Sequence, residues 1–131
     1  MRVYRLHSPL PEKALLERLD GLDAVAVRPD AVASVEEFEL ANHLAKDAFS
    51  ERKNIARKLR YEFLLWLSGK TDIKSAMRST KPDGDEFLVV VFSDTRAGAV
   101  CRMLEAEELP LKLEKDGDPL RLERISLSRI S

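Results

Sequence analysis

The sequence predicts an α/β protein with a single domain, in which a small mixed or antiparallel β-sheet is covered by four to five helices. Residues 87–92 form an unbroken apolar run after a turn-rich segment, which is typical of a strand buried on both faces. Several other segments repeat apolar residues at helical spacing. The 131 residues, of which 44% are hydrophobic, provide one hydrophobic core and leave no room for a second.

The first fifty residues predict two strands and two helices. Residues 2–7 alternate weakly between polar and apolar side chains and are interpreted as the first strand. The prolines that follow open a short helix over residues 11–19, and residues 22–27 return to an alternating pattern. Ser34 and Glu37 have the spacing of a capping box, so we expect a long helix to begin there.

Two further helices are predicted in the middle of the chain. Residues 53–68 repeat apolar side chains at helical spacing, with Ile55 at the beginning of the apolar stripe. Gly69 is placed to adopt the left-handed conformation that ends such a helix. Thr71 can then cap a second, shorter helix.

The last third of the chain predicts a strand, a helix and a terminal strand pair. Residues 87–92 should form the central strand, and Asp94 can cap a helix over residues 95–108. Residues 111–126 alternate on both sides of a turn, which favours a hairpin or a pair of edge strands. Residues 124–131 are expected to form an exposed and flexible C-terminal arm.

Positive charge is concentrated in one block, residues 52–81, which we call the basic block. It contains nine of the 22 lysines and arginines and two of the 23 acids, so it carries +7. The rest of the chain, with 13 basic and 21 acidic residues, carries −8. A clustered positive field attracts phosphate or an acidic protein even when the whole molecule is nearly neutral. The alternative is a solvated face that keeps the protein soluble.

The sequence contains no recognisable catalytic or metal-binding constellation. His7 and His43 lie in different predicted elements, and Cys101 lies on a helix face predicted to be buried. Gly69-Lys70-Thr71 is similar to the end of a phosphate-binding loop, but that motif needs a glycine where Leu64 stands and follows a strand rather than a helix. We therefore expect a protein that is not an enzyme and that uses no cofactor and no metal.

The sequence also predicts a cytoplasmic protein. The N-terminus lacks the apolar run of a signal peptide, and no segment reaches the ~18 continuous apolar residues needed to cross a bilayer. The single cysteine, Cys101, excludes an internal disulfide and suits a reducing compartment. We therefore expect no membrane partner.

Between residues 53 and 76 the chain carries the pattern of a known family. The matching residues are Lys53-Asn54-Ile55, Glu62, Leu65, Leu67-Ser68-Gly69, Asp72-Ile73 and Ala76. They resemble the signature of the TPRKB-like family, the PRPK-binding subunit of the KEOPS complex. In that family a helix ending in Leu-Ser-Gly precedes a short helix with an isoleucine and a small residue three positions later. The order of the predicted elements extends the resemblance over most of the chain.

The resemblance implies a non-catalytic subunit whose partners perform the chemistry. Such a subunit binds a small PRPK-type atypical kinase. With other KEOPS subunits it supports the transfer of threonylcarbamoyl to adenosine 37 of tRNAs that read codons beginning with A. The family is also associated with binding tRNA, notably its 3′ CCA end. The kinase and tRNA are therefore the expected partners, and no small-molecule substrate is expected.

The basic block supplies an independent reason to expect tRNA binding. Lysine and arginine neutralise backbone phosphates, and an unpaired terminal base can form hydrogen bonds with a side-chain amide. Asn54, at the expected start of a helix, suits such a contact, and a plain helix cap is its alternative interpretation. The predicted tRNA-binding residues are Lys53, Asn54, Arg57, Lys70 and Lys74.

Three apolar residues on the helix predicted over residues 95–108 are candidates for kinase binding, namely Val100, Met103 and Leu104. Burial in the core is the rival explanation for these residues. The alternative function is a small ferredoxin-like ligand-binding domain or enzyme with a pocket on the sheet face. A pocket with convergent titratable groups would favour that alternative.

Overall fold

The computed structural model describes residues 1–129, which group into two compact units. The first unit comprises Met1–Pro29 and Lys81–Lys112, and the second comprises Asp30–Thr80 and the residues from Leu113 onward. The predicted α/β class is confirmed, because the described residues contain six helices and one four-stranded antiparallel sheet. The helices outnumber the four or five that were expected. The expectation of a single domain stays a prediction.

The elements in chain order are β1 (Arg2–His7), α1 (Glu12–Leu22), β2 (Ala24–Val27), α2 (Val35–Ser50), α3 (Leu59–Ser68), α4 (Ile73–Thr80), β3 (Glu86–Val91), α5 (Ala97–Leu104), β4 (Glu107–Leu109) and α6 (Pro119–Ser126). The four strands, α1 and α5 belong to the first unit, and the other four helices belong to the second. Among the described helices, none is both long enough and apolar enough to pass through a lipid bilayer.

The first unit is built around the inner strands of the sheet. The strand order is β2-β3-β1-β4, and each neighbouring pair is antiparallel. Every residue of β3 after Glu86 is buried, so the predicted central strand is confirmed. Side chains from α1 and α5 complete a core that consists of Leu6, Leu15, Leu19, Leu22, Ala24, Phe87, Val89, Val91, Val100 and Leu104.

The second unit packs α3 and α6 against α2. The rings of Phe38 and Phe63 stack with their centroids 6.1 Å apart. The Ser34 hydroxyl accepts a hydrogen bond from the Glu37 backbone N–H at 3.2 Å, so the predicted cap of α2 is confirmed. The Glu37 carboxylate reaches back to the backbone N–H of Ala33 at 3.0 Å, one residue earlier than a capping box requires.

The helix predicted over residues 95–108 is shorter than expected. α5 begins after Arg96 rather than after Asp94, and Glu105 ends it with a left-handed φ of 49°. Residues 107–109 pair with β1 and form the edge strand β4. Helical spacing could not show this boundary, because the hydrogen bonds that form β4 come from the opposite end of the chain.

The C-terminal segment contains a helix, so the predicted terminal hairpin is wrong. α6 begins at Pro119, whose fixed backbone angle suits the first helical position. The Asp118 carboxylate accepts a hydrogen bond from the Leu120 N–H at 2.9 Å and caps the helix. Packing against α2 and α3 selects the helix where the apolar spacing alone favoured an alternating strand.

The expected C-terminal arm is corrected for residues 124–129. Ile125 is fully buried, and the Arg129 side chain is largely buried. These residues therefore belong to the folded second unit and are not an exposed extension. Ile130 and Ser131, which complete the expected arm, lie outside the described residues.

Candidate nucleic-acid interface

The basic loop, residues 51–58, connects α2 to α3. Arg52 has a positive φ of 58°, and the Lys53 backbone N–H donates to α2 at 2.8 Å, which ends that helix. The next helix begins only at Leu59. Ile55, expected on an apolar stripe, is 50% exposed. The helix predicted over residues 53–68 is therefore wrong for residues 53–58 and confirmed from Leu59 to Ser68.

A buried carboxylate holds the basic loop in place. Glu62 is 0% exposed, and its Oε1 accepts hydrogen bonds from the backbone N–H groups of Ile55 and Ala56, both at 2.9 Å. Its Oε2 accepts a hydrogen bond from Trp66 Nε1 at 3.2 Å and pairs with Arg129 at 2.6 Å. In a continuous helix, positions 55 and 62 would lie about 10 Å apart along the axis, so these contacts require a loop that folds back onto α3.

Asn54 lies inside the basic loop and not at a helix N-terminus. Its Nδ2 donates to the Ala56 carbonyl at 2.8 Å, so the amide braces the loop instead of capping a helix. Lys53 and Arg57 lie on either side in the sequence, and both are exposed. The Lys53 ammonium is 3.5 Å from the Glu51 carboxylate, a surface pair that solvent weakens. Lys53 and Arg57 therefore present their charges to solvent in the same loop as the braced amide.

The other two predicted tRNA-binding residues lie around the start of α4. Gly69 ends α3 with a φ of 72°, as predicted from its position. Lys70 follows it directly, and Lys74 lies in the first turn of α4. Both lysines are exposed.

Asp72, rather than Thr71, caps α4. Its Oδ1 accepts a hydrogen bond from the Ser75 backbone N–H at 2.8 Å. This bond, the Ser75 hydroxyl and the smaller effects of Arg78 and Lys70 hold the pKa of Asp72 below its ordinary value. The carboxylate is therefore ionised at neutral pH, and it is the exposed acid of the basic block.

The structure sorts the five predicted residues into two groups. Lys53, Asn54 and Arg57 share the basic loop at the first turn of α3, whereas Lys70 and Lys74 follow its last turn. The ten residues of α3 measure about 15 Å along the helix axis. Positive charge at both ends of α3 suits contacts with several phosphates along a strand better than contact with a single phosphate.

Three further arginines belong to these groups and were not predicted as site residues. Arg52 is exposed in the basic loop, and Arg78 is exposed on α4. Arg124 belongs to α6, and its Cγ lies 4.0 Å from the position that a Cβ on Gly69 would occupy. Helical spacing after Pro119 could have revealed α6, but only the tertiary structure brings it beside the turn that precedes Lys70.

The chemistry that these two groups offer is electrostatic. Lysine and arginine bind phosphate by charge and hydrogen bonding, and an amide can recognise a base edge. Within residues 1–129 no three His, Cys, Asp or Glu side chains form a cluster that could hold a metal ion. The two groups therefore offer charge and hydrogen bonding at an exposed surface.

The predicted kinase-binding residues on α5 do not form a surface patch. Val100 and Leu104 are fully buried in the core between α5 and the sheet, so the prediction is wrong for both. Residues four positions apart share one face of a helix, and α5 turns that face towards the sheet. Met103 is 41% exposed, so it stays a predicted contact.

The sequence matches no protein-family model and no curated protein. The resemblance to the TPRKB-like family therefore stays a prediction. The structure places Leu67-Ser68-Gly69 at the end of α3 and both Ile73 and Ala76 on α4, which is the order of helices that the resemblance describes.

Proposed function

We propose that this protein is a non-catalytic subunit of the KEOPS complex that binds a PRPK-type kinase and recruits tRNA through its 3′ CCA end. The recruited tRNA would receive threonylcarbamoyl on adenosine 37, in tRNAs that read codons beginning with A. The observation that carries the proposal is the basic loop, in which Lys53 and Arg57 are exposed beside Asn54 on a backbone held by Glu62. A cytoplasmic location belongs to the proposal, because the single cysteine suits a reducing compartment.

A braced loop supports RNA binding for an energetic reason. Binding loses free energy when mobile side chains and loops become ordered, and a loop that is already folded loses less. Each phosphate neutralised by lysine or arginine releases counterions, which favours the complex. The amide of Asn54 adds a group that can form hydrogen bonds with an unpaired base.

The alternative of a ligand-binding pocket on the sheet receives no support from the face that α1 and α5 cover. That face is filled by apolar side chains, and Tyr4 and Cys101 pack against the core that they form. The binding surface of the second unit therefore supports the tRNA proposal better.

The test of tRNA recruitment compares full-length tRNA with the same tRNA lacking its three terminal nucleotides. The wild type should bind the full-length tRNA more tightly, and Asn54→Ala should remove the difference between the two RNAs. Lys53→Glu/Arg57→Glu should weaken the binding of both RNAs by about tenfold or more.

The matched control is Lys13→Glu/Lys112→Glu, which reverses two exposed lysines outside the basic block and should leave affinity unchanged. Equal binding of both RNAs by the wild type would contradict recognition of the CCA end. Equal binding by the control and by Lys53→Glu/Arg57→Glu would contradict tRNA binding through the loop.

Kinase binding is tested at Met103, the exposed member of the three predicted residues. Met103→Asp should weaken binding of the PRPK-type kinase from the same organism, measured by calorimetry with purified proteins. Leu120→Asp changes an exposed leucine on α6 and should not affect this binding. Unchanged affinity of the Met103 variant would exclude this site, and the absence of any complex with the wild type would remove the kinase from the proposal.

A further inference from the structure

The carboxylate of Glu62 joins two parts of the second unit that are far apart in sequence. One oxygen accepts the backbone N–H groups of Ile55 and Ala56, which lie in the basic loop. The other oxygen accepts Trp66 Nε1 and pairs with Arg129, three residues beyond the end of α6. A single buried side chain therefore contacts both the loop and the C-terminal segment.

Arg129 is held by two contacts in this cluster. Its Nη1 lies 2.6 Å from Glu62, and its guanidinium carbon lies 4.2 Å from the centre of the Trp66 ring. The guanidinium therefore contacts the Glu62 carboxylate and the face of the Trp66 ring at the same time. A lysine side chain reproduces this combination poorly. Removing Arg129 would take away the ion-pair partner of a fully buried carboxylate, which is destabilising.

We infer that Arg129 is a latch for the basic loop: its ion pair holds the buried Glu62 side chain in place, and Glu62 in turn holds the loop backbone. Without the latch, the Glu62 side chain loses its ion-pair partner and can move towards solvent. This movement weakens the hydrogen bonds to Ile55 and Ala56. The order of the loop then depends on the C-terminal segment, whether or not the loop binds RNA.

The experiment measures amide hydrogen exchange by NMR in wild type, Arg129→Gln and Arg124→Gln. Arg129→Gln should speed exchange at Ile55 and Ala56 by about tenfold or more, which corresponds to ~1.4 kcal/mol of easier local opening. Arg124→Gln removes the same charge from an exposed position nearby and should leave both amides as in the wild type. The amides of Ala41 and Ala45 in α2, which belongs to the same unit but lies outside the cluster, report on the stability of the second unit as a whole.

Unchanged exchange at Ile55 and Ala56 in Arg129→Gln would overturn the latch. If this variant also speeds exchange at the two α2 amides, Arg129→Lys becomes the deciding variant, because it keeps the charge and loses the planar guanidinium. We expect Arg129→Lys to speed exchange at the two loop amides and to leave exchange at the two α2 amides unchanged. Equal acceleration in both regions, or in neither, would overturn the coupling.

Trypsin gives a second readout, because the loop exposes Arg52, Lys53 and Arg57 as cleavage sites. Cleavage in the loop should be faster in Arg129→Gln than in Arg124→Gln, and equal rates would contradict the latch. Neither readout contains RNA. A wild type that fails to bind tRNA would therefore remove the proposed function, and the exchange and cleavage rates would still decide the latch.

Discussion

Two single residues, Glu37 and Glu62, organise much of the second unit. Both are buried, and each pairs with an arginine from the C-terminal part of the chain: Glu37 with Arg121 at 2.7 Å and Glu62 with Arg129 at 2.6 Å. Breaking a buried pair by removing one partner is strongly destabilising, because the remaining charge is uncompensated. A count of charges assigns Glu62 to the basic block, yet this acid contributes nothing to the exposed surface of that block.

Protonation of Glu37 should lower the free energy of unfolding as the pH falls below 4.5, the ordinary pKa of this carboxyl group. Burial alone raises the pKa of Glu37, but hydrogen bonds from Arg121, Ser34 and Ala33 outweigh burial and hold the pKa below its ordinary value of 4.5. The unfolded state therefore binds this proton more readily than the folded state. The stabilisation is present in full above the unfolded pKa and is lost as the pH falls through the folded pKa.

We expect Glu37→Gln to flatten the dependence of the unfolding free energy on pH in this acidic range. Urea unfolding between about pH 3 and 7 measures this dependence. Glu39→Gln, which changes an exposed carboxylate on the same helix, should keep the slope of the wild type. A Glu37→Gln profile that runs parallel to the wild type would contradict the lowered pKa.

Close packing requires a glycine at position 117. A Cβ there would lie 2.9 Å from Ser34 Oγ and 3.0 Å from Leu122 Cδ2. Gly117→Ala should therefore lower the free energy of unfolding by about 1–3 kcal/mol. Gly84→Ala is the control, because no atom lies within 4 Å of its added Cβ, and its change should stay within about 0.5 kcal/mol. If chemical denaturation gives the two variants equal stability, the segment around Gly117 can shift to accommodate the added Cβ with no loss of unfolding free energy, and the prediction is wrong.

At the scale of elements, the C-terminal helix α6 connects several parts of the second unit. It packs against α2 and α3, its Arg121 pairs with Glu37, and the chain beyond it delivers Arg129 to Glu62. The second unit therefore needs α6 to neutralise its buried acids. If these residues formed a strand, alternate side chains would point to opposite faces. The few side chains on one face could not contact both α2 and α3.

The cap of α6 can be tested by substitution. Asp118→Ala removes the acceptor of the Leu120 N–H and should lower the free energy of unfolding by about 1 kcal/mol. Asp116→Ala removes an exposed carboxylate from the same loop and should change stability by less than about 0.5 kcal/mol. If thermal unfolding shows that the two variants lose the same stability, charge rather than capping explains the effect.

At the scale of the whole molecule, the formal net charge of −1 conceals an uneven distribution. Residues 52–80, all in the second unit, contain eight of the nine cations of the basic block. Their two acids are Glu62, which is buried, and Asp72, which is engaged as a helix cap. Arg60 is buried as well, so seven exposed cations and one exposed acid remain, and the exposed surface of this segment keeps its formal charge of +6.

The dependence of tRNA affinity on salt tests this distribution. Each lost phosphate contact should reduce the magnitude of the slope of log affinity against log salt by about 0.7–0.9, so Lys53→Gln/Arg57→Gln should reduce it by about 1.4–1.8. Lys13→Gln/Lys112→Gln, the control outside the basic block, should keep the wild-type slope. The same slope and affinity in all three proteins would leave the basic block as a solubilising surface.

Local patterns predicted the features that depend on neighbours in the sequence. The strand at residues 2–7, the buried strand that became β3, the Ser34 cap and the left-handed turn at Gly69 were all predicted correctly. Side-chain alternation, helical spacing and caps operate over a few residues, so a single segment contains the information that determines them. The sequence also determined the +7 block and its concentration in one stretch of chain.

Only the tertiary structure decided the features that depend on distant partners. The basic loop lies where a helix was predicted, because Glu62 accepts hydrogen bonds from its backbone and pairs with the distant Arg129. Val100 and Leu104 were assigned to a surface because the sequence shows that a helix face is apolar but not what covers it. Residues 107–109 became a strand because β1 offered them hydrogen bonds. The physical reason is the same in each case: burial and pairing are set by groups that folding brings together from far along the chain.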